Sequence, residues 1–147
     1  MLCKIPFEFI SIEADGVHLI LSAKINQKPC RLLIDTGASR TVFDQNRISL
    51  FVNEPEMQEN QHLSTGLGTN DMKSHIITLE NLEIGDLYLK NYISVVIDMS
   101  HINQSFEAYG LQAIDGVIGG DILHDYKAEI DYRKQELRLR VPKKLLK

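Results

Sequence analysis

The sequence LLIDTGASRTVF, residues 32–43, places an aspartate directly after three aliphatic residues. An uninterrupted aliphatic run of this kind is typical of a strand that is buried on both faces. Burying a charged carboxylate without partners is costly. Asp35 is therefore either a turn-forming residue at the edge of the fold or a carboxylate that is held there for its chemistry.

The residues that follow Asp35 are suited to fixing its carboxylate. Gly37 permits a tight turn with positive φ, or a close approach of its backbone N–H to the carboxylate. The hydroxyl of Ser39 can donate to a carboxylate oxygen, and Thr36 can brace the loop through its own hydroxyl. These contacts would preorganise a catalytic acid or base. An Asx turn that closes a strand is the alternative, because Asp, Thr and Gly are all common in turns.

A second stretch, AIDGVIGGDIL at residues 113–123, repeats this design of an apolar strand, a glycine and a short helix. Val117 and Ile118 are large and apolar, and Gly119 follows them. Because Gly119 has no side chain, it can pack closely against another backbone segment.

Together the two stretches resemble the retropepsin-like aspartic proteases, the single-domain family that includes retroviral proteases and bacterial relatives. The matching residues are 33–39 and 117–119, with Asp121 opening the following helix. The resemblance extends over about residues 17–141. It implies an all-β, closed β-barrel of the acid-protease fold, with one short helix near the C-terminus and a flap hairpin, in a single domain over residues 1–147.

The resemblance also implies a role for each matched residue. Asp35 is expected to be the catalytic aspartate, while Gly37 and Ser39 fix its carboxylate. The hydroxyl of Thr36 is expected to contact the loop of the partner chain across a two-fold axis. The residues expected to form the apolar support under the active-site loop are Val117, Ile118 and Gly119.

The flap is expected in the glycine-containing polar stretch STGLGTND, residues 64–71. In this family the flap closes over a bound peptide, and glycines give such a lid backbone freedom. The candidate substrate-binding residues of the flap are Thr65, Gly66, Leu67, Gly68 and Thr69.

The chemistry implied by the resemblance needs two carboxylates beside one water molecule, which share a proton because two adjacent carboxyls cannot easily both ionise. The chain contains Asp-Thr-Gly once, so the second carboxylate is expected from a second copy in a homodimer. Asp115-Gly116 is the alternative within one chain. No hydroxyl follows Asp115 as Thr36 follows Asp35, which favours a turn or hydrogen-bonded residue. The substrate would be an extended polypeptide.

Two non-catalytic hypotheses use the same sequence features. One is a catalytically weak or inactive retropepsin fold that dimerises or binds peptides. The other is a plain β-barrel with a chance Asp-Thr-Gly, which requires both motifs to occur in the right order by accident.

Composition narrows the remaining classes of function. With 147 residues and a net charge of −4, the chain has the size of one domain and lacks the basic character of a nucleic-acid-binding protein. Residues 133–147 hold seven Lys or Arg against one Glu. Such a basic segment is typical of a solvated end and is also a candidate interface.

We expect no cofactor and no metal, because His62 and His75 would pair across the flap hairpin without a third ligand.

Two cysteines, no secretory leader and no membrane-length apolar run lead to a default expectation of a cytoplasmic protein without membrane contact.

Alternating apolar residues predict most of the strands. The main candidates are residues 6–14, 17–25, 74–84 and 87–99, followed by a terminal hairpin over 127–141. Residues 100–110 are predicted as a loop or a short helix. Asp44 and Asp121 are each predicted to cap a short helix.

Overall fold

The computed structural model describes residues 1–12, 16–53, 58–59 and 74–147. Within these residues the chain forms ten strands and two α-helices. The strands are β1 (Leu2–Ser11), β2 (Val17–Ile25), β3 (Lys28–Ile34), β4 (Val42–Asp44), β5 (Gln58–Glu59), β6 (His75–Ile84), β7 (Leu87–Ile97), β8 (Gly116–Ile118), β9 (Glu129–Asp131) and β10 (Glu136–Arg140). The helices are α1 (Ser100–Ala108) and α2 (Gly120–Asp125), and short 3-10 turns occupy Ile48–Leu50 and Lys143–Leu145.

Six of these strands close into a barrel. Their order is β2, β3, β8, β4, β7 and β6, and β6 returns to pair with β2 at Leu82 and Ile25. From the other side of β2 the sheet continues through β1, β10 and β9. The predicted all-β closed sheet is therefore confirmed.

The strand before Asp35 is buried on both faces, as predicted from its aliphatic run. Leu32 belongs to the larger buried cluster, together with Phe43 of β4. Its neighbour Leu33 belongs to a second buried cluster that includes Phe106 of α1 and Ile114. β3 thus lies between two apolar layers, which leaves it little freedom to shift.

The described residues contain two α-helices where the predicted fold had one. The additional helix is α1, in the segment 100–110 that the sequence left open between loop and helix. Its N-cap, Met99, makes no side-chain capping hydrogen bond, so the usual sequence signal for a helix start is missing. Packing of Phe106 into the second cluster supplies the stabilisation instead.

The prediction that Asp44 caps a helix is wrong. Asp44 is the last residue of β4, and its buried carboxylate accepts hydrogen bonds from Met99 N at 3.1 Å and Asn103 Nδ2 at 3.0 Å. Asn103 also accepts from Ile114 N at 2.8 Å. Asp44 is therefore a long-range anchor that fixes α1 against the barrel.

Candidate active site

Asp35 lies immediately beyond the last residue of β3, at the point where two parallel barrel strands meet. Leu32 of β3 pairs with Gly116 of β8, and Ile34 pairs with Ile118. The backbone N–H of Asp35 continues this ladder by donating to Ile118 O at 3.0 Å. The candidate catalytic carboxylate is therefore carried by a rigid strand end.

The carboxylate of Asp35 is held by its own loop. Gly37 N donates to Asp35 Oδ1 at 3.0 Å, and Ala38 N donates to the backbone carbonyl of Asp35 at 3.2 Å. A Cβ on residue 37 would lie 3.3 Å from the same carboxylate oxygen. Because Gly37 has no side chain, its backbone can approach the Asp35 carboxylate closely. Asp35 is half-buried and remains accessible to water.

The hydroxyls of Thr36 and Ser39 are both on exposed residues of this loop. Within the described part of the chain, neither hydroxyl makes a hydrogen bond, so Ser39 does not donate to Asp35 in the single chain. The backbone carbonyl of Ser39 accepts from Asp121 N at 3.1 Å. The roles assigned to the two hydroxyls by the resemblance remain predictions.

The predicted apolar support lies directly beside the Asp35 loop. Val117 and Ile118 are buried, and Val117 pairs with both Leu33 and Val42. Gly120 N donates to Ala38 O at 2.7 Å. This bond joins the first residue of α2 to the loop.

Gly119 is required by a close approach of two backbone segments. A Cβ at this position would lie 2.4 Å from Arg40 O, far inside van der Waals contact. The same Cβ would lie 2.9 Å from Ala38 O. A residue with a side chain would thus force the loop that follows Asp35 away from β8.

Thr41 and Asp121 form a brace that sequence reasoning missed. Thr41 donates to Asp121 Oδ1 from both its backbone N, at 2.8 Å, and its Oγ1, at 2.7 Å. Thr41 Oγ1 also accepts from Gly119 N at 3.1 Å. The sequence offered one signal for Thr41, a hydroxyl residue next to the aliphatic Val42, and this signal is weak by itself.

The prediction that Asp121 caps α2 is wrong. Gly119 is the N-cap, and Asp121 lies inside the first turn of the helix. Its carboxylate is engaged by Thr41 and by Ile122 N, because the loop after Asp35 lies against this end of the helix.

Tyr92 of β7 packs beside the same brace. Burial, and then the charge of Asp121, raise the pKa of Tyr92 above its usual value, while a hydrogen bond with Thr41 opposes this rise. Tyr92 therefore stays a neutral phenol.

Asp115 is a buried, hydrogen-bonded residue, as the sequence favoured. Only 5% of it is exposed. Its Oδ2 accepts from Arg31 N at 2.8 Å, and its Oδ1 accepts from Arg47 Nε at 2.7 Å. Both oxygens thus accept hydrogen bonds from structural partners. This arrangement does not favour Asp115 as a second catalytic aspartate within one chain.

A cleft of about 290 Å³ opens beside Asp35. Besides Asp35 and Thr36, its described lining residues are Val17, His18, Leu19, Leu33, Ile34, Ile130 and Tyr132. Five of these residues are apolar, and His18 and Tyr132 add an imidazole and a phenol to the polar groups of Asp35 and Thr36. Such a cleft can receive a side chain of a molecule that approaches the Asp35 carboxylate.

The predicted flap, including Thr65, Gly66, Leu67, Gly68 and Thr69, lies outside the described residues, and so does His62. The described residues contain no group of three or more His, Cys, Asp or Glu side chains arranged to hold a metal ion. No helix in the described part of the chain is long and apolar enough to cross a membrane.

Comparison with solved structures identifies the fold. A retropepsin-like aspartic protease from Rickettsia conorii superposes with a TM-score of 0.55 at 21% identity, over 95% of this chain and 90% of that chain. The retroviral protease-like domain of Ddi1 from Leishmania major gives a TM-score of 0.52 at 16% identity, over 83% of this chain and 87% of that chain. EIAV protease, in complex with the inhibitor HBY-793, gives 0.52 at 16% identity, over 83% of this chain and 99% of that chain. The molecule has the retropepsin-like fold, as predicted.

The sequence itself identifies the family. A family model described as "Aspartyl protease" matches residues 21–122, which include Asp35 and the support residues 117–119. The chain belongs to this aspartyl protease family. A search of curated proteins gave no match.

Proposed function

We propose that the protein is an aspartic endopeptidase whose catalytic dyad consists of Asp35 from each of two identical chains. The observation that carries the proposal is the placement of Asp35: a half-buried carboxylate at a rigid strand end, held by Gly37 N and open to a cleft with a mixed polar and apolar lining. Membership of the aspartyl protease family supports the same assignment.

The proposed reaction follows from two carboxyls that share one proton. The charged Asp35 takes a proton from a water molecule as the water oxygen attacks the peptide carbonyl carbon. The protonated Asp35 of the second chain donates to the carbonyl oxygen. As the tetrahedral intermediate collapses, the C–N bond breaks and a proton passes to the leaving amine. Gly37 N stabilises charge on Asp35, and the bracing by residues 117–120 keeps the carboxylate in place.

The homodimer completes the site in this proposal. Thr36, whose hydroxyl has no partner in the described part of one chain, would contact the loop of the second chain. Ser39 would complete the hydrogen bonding of Asp35. The substrate would be an extended polypeptide that adds to the molecule as a strand, under a flap that includes Thr65 to Thr69.

We also propose that residues 1–147 act as one domain without a cofactor. Cys3 and Cys30 are buried free thiols, which agrees with the expected reduced, cytoplasmic location. That location remains a prediction.

A second candidate is a retropepsin fold that dimerises or binds peptides without cleaving them. The observation that favours it is that, within the described residues, Asp35 Oδ1 accepts a hydrogen bond from Gly37 alone and the hydroxyl of Ser39 makes none.

The experiment compares the unmodified protein with Asp35→Asn on casein, with and without a transition-state-analogue inhibitor of aspartic proteases. Light scattering and circular dichroism check that the dimer and the fold survive the substitution. The proposal expects inhibitor-sensitive cleavage that Asp35→Asn abolishes. Equal cleavage by both proteins contradicts it, and a folded dimer that neither cleaves casein nor binds the inhibitor supports the second candidate.

A further inference from the structure

A second cavity, of about 600 Å³, lies between the start of β3, the end of α1 and the segment that leads into β8. Its volume falls within the range of roughly 300–1,000 Å³ that is usual for small-molecule sites. None of its described lining residues is shared with the cleft beside Asp35. The proposed proteolytic reaction makes no use of it.

Two arginines that line this cavity have hydrogen-bond donors without a partner among the described residues. Arg47 uses its Nε on Asp115, and its two terminal nitrogens bond to no described residue. Arg31 uses one terminal nitrogen on Glu8, at 2.9 Å. Its Nε is buried and has no partner among the described residues. Buried donors of this kind are rare in folded proteins and point to a missing water or ligand.

The nearby acidic groups do not satisfy these donors. Asp115 is buried with both of its oxygens already engaged. Glu8 reaches one nitrogen of Arg31. Glu107, at the end of α1, is exposed, and its carboxylate bonds to no described residue. The cavity thus combines guanidinium donors with one carboxylate that has no partner in the described part of the chain.

The other lining residues of the cavity determine which kind of ligand fits. Pro29, Leu111 and Ala113 present an apolar surface, and Gln112 adds an amide. Guanidinium groups bind carboxylates through paired N–H donors. The exposed carboxylate of Glu107 suits an ammonium group and repels a polyanion.

From this arrangement we infer that the cavity binds a small zwitterion of the amino-acid type. Its carboxylate bonds to Arg31 and Arg47, its ammonium group faces Glu107, and its side chain lies on the apolar wall formed by Pro29, Leu111 and Ala113. This site is separate from the proposed catalytic one, and it does not depend on whether the protein cleaves peptides.

The test uses three matched probes with the full chain: leucine, 4-methylpentanoate, which lacks the ammonium group, and 3-methylbutylamine, which lacks the carboxylate. Calorimetry measures each Kd, and amide NMR shifts locate each probe. We expect leucine to bind most tightly, 4-methylpentanoate more weakly and the amine not at all, with shifts confined to residues 30–31, 47 and 107–115. Failure of leucine to bind at millimolar concentration, or equal binding of the amine, overturns the inference.

Variants test the named contacts. Arg31→Gln removes a partly exposed guanidinium and leaves the bond between Arg47 and Asp115 in place, so it should raise the Kd for leucine at least about tenfold, the loss expected for a charge-assisted bond. Arg133→Gln removes an exposed arginine outside the cavity and should leave the Kd unchanged. An unchanged Kd in Arg31→Gln contradicts the assignment.

Glu107→Gln provides an independent check should Arg31→Gln fail to fold. Glu107 is exposed, so this variant is expected to fold. It should remove the advantage of leucine over 4-methylpentanoate while the binding of 4-methylpentanoate is kept. Persistence of that advantage contradicts the position assigned to the ammonium group.

Discussion

Thr41 and Asp121, 80 residues apart in the sequence, are joined by two hydrogen bonds to a single carboxylate oxygen. This pair connects the segment after Asp35 to the first turn of α2. Gly119 N adds a third bond by donating to Thr41 Oγ1 at 3.1 Å. The geometry of the candidate catalytic loop therefore depends on residues that do not touch Asp35.

Thr41→Val should destabilise the protein, because it keeps the shape of the side chain but leaves Gly119 N without its acceptor and removes one donor to Asp121. A buried group left unsatisfied in this way costs about 1–3 kcal/mol. Urea unfolding at fixed protein concentration measures the change in the free energy of unfolding. Thr78→Val, at an exposed site on β6, is the control and should change it by no more than about 0.5 kcal/mol. Equal changes in the free energy of unfolding for the two variants would show that the brace does not stabilise the protein.

Gly119→Ala should be far more harmful than Gly120→Ala. A Cβ at residue 119 would lie 2.4 Å from Arg40 O, whereas a Cβ at residue 120 would lie 3.4 Å from Ala38 O, an ordinary contact. We expect Gly119→Ala to lower the free energy of unfolding by about 1–3 kcal/mol through overpacking. Gly120→Ala should stay within about 0.5 kcal/mol of the unmodified protein.

The same pair of variants reports on activity. Because the Gly119 contact positions the loop after Asp35, Gly119→Ala should also reduce kcat for casein under conditions where the protein remains folded. If both variants are equally stable and equally active, the close approach of residues 119 and 40 has no functional importance.

Asp98 should contribute to acid sensitivity. Hydrogen bonds from Ser100, first of all from its backbone N–H at 2.9 Å, and from Asn46 Nδ2 at 2.7 Å hold the pKa of Asp98 below its usual value. Its unfolded pKa is about 3.9. The stabilisation is therefore fully present above about pH 4, and it is lost as the pH falls through the lower pKa of the folded state.

The measurement compares the unfolding midpoints of the unmodified protein and Asp98→Asn at pH 7 and at pH 3. The variant should be less stable at pH 7, and the difference should shrink at pH 3. Glu80→Gln, at an exposed carboxylate on β6, should show a small difference at both values. A gap for Asp98→Asn that is the same at both pH values would contradict the contribution of its hydrogen bonds.

Local sequence patterns were sufficient for several strands, although β1 begins at Leu2 and ends at Ser11 where the prediction was residues 6–14. β2 begins and ends at the predicted residues, Val17 and Ile25, because alternating apolar side chains are bounded by turn residues on both sides. The aliphatic run before Asp35 predicted that β3 is buried on both faces, and this prediction also rests on a local pattern. The position of Asp35 at the end of β3 could be predicted because strand and loop are adjacent in sequence.

Contacts between distant residues could not be predicted from local patterns alone. Asp121 has the local pattern of a helix cap, but Gly119 is the N-cap of α2 and Thr41 donates to the Asp121 carboxylate. Asp44 likewise bonds to Asn103 of α1 instead of capping a helix of its own. In both cases the carboxylate keeps a local backbone donor, Ile122 N or Asn46 N, and adds distant donors that the local pattern does not reveal.

The most direct test of the central claim, that two Asp35 carboxylates form one site, is a mixing experiment. Unmodified protein and Asp35→Asn are combined in equal amounts, allowed to exchange subunits, and assayed on casein at constant total protein. If each site needs Asp35 from both chains, only dimers of two unmodified chains are active and about a quarter of the activity remains. Retention of about half of the activity would mean that each chain works with its own Asp35 alone, and would contradict the shared dyad.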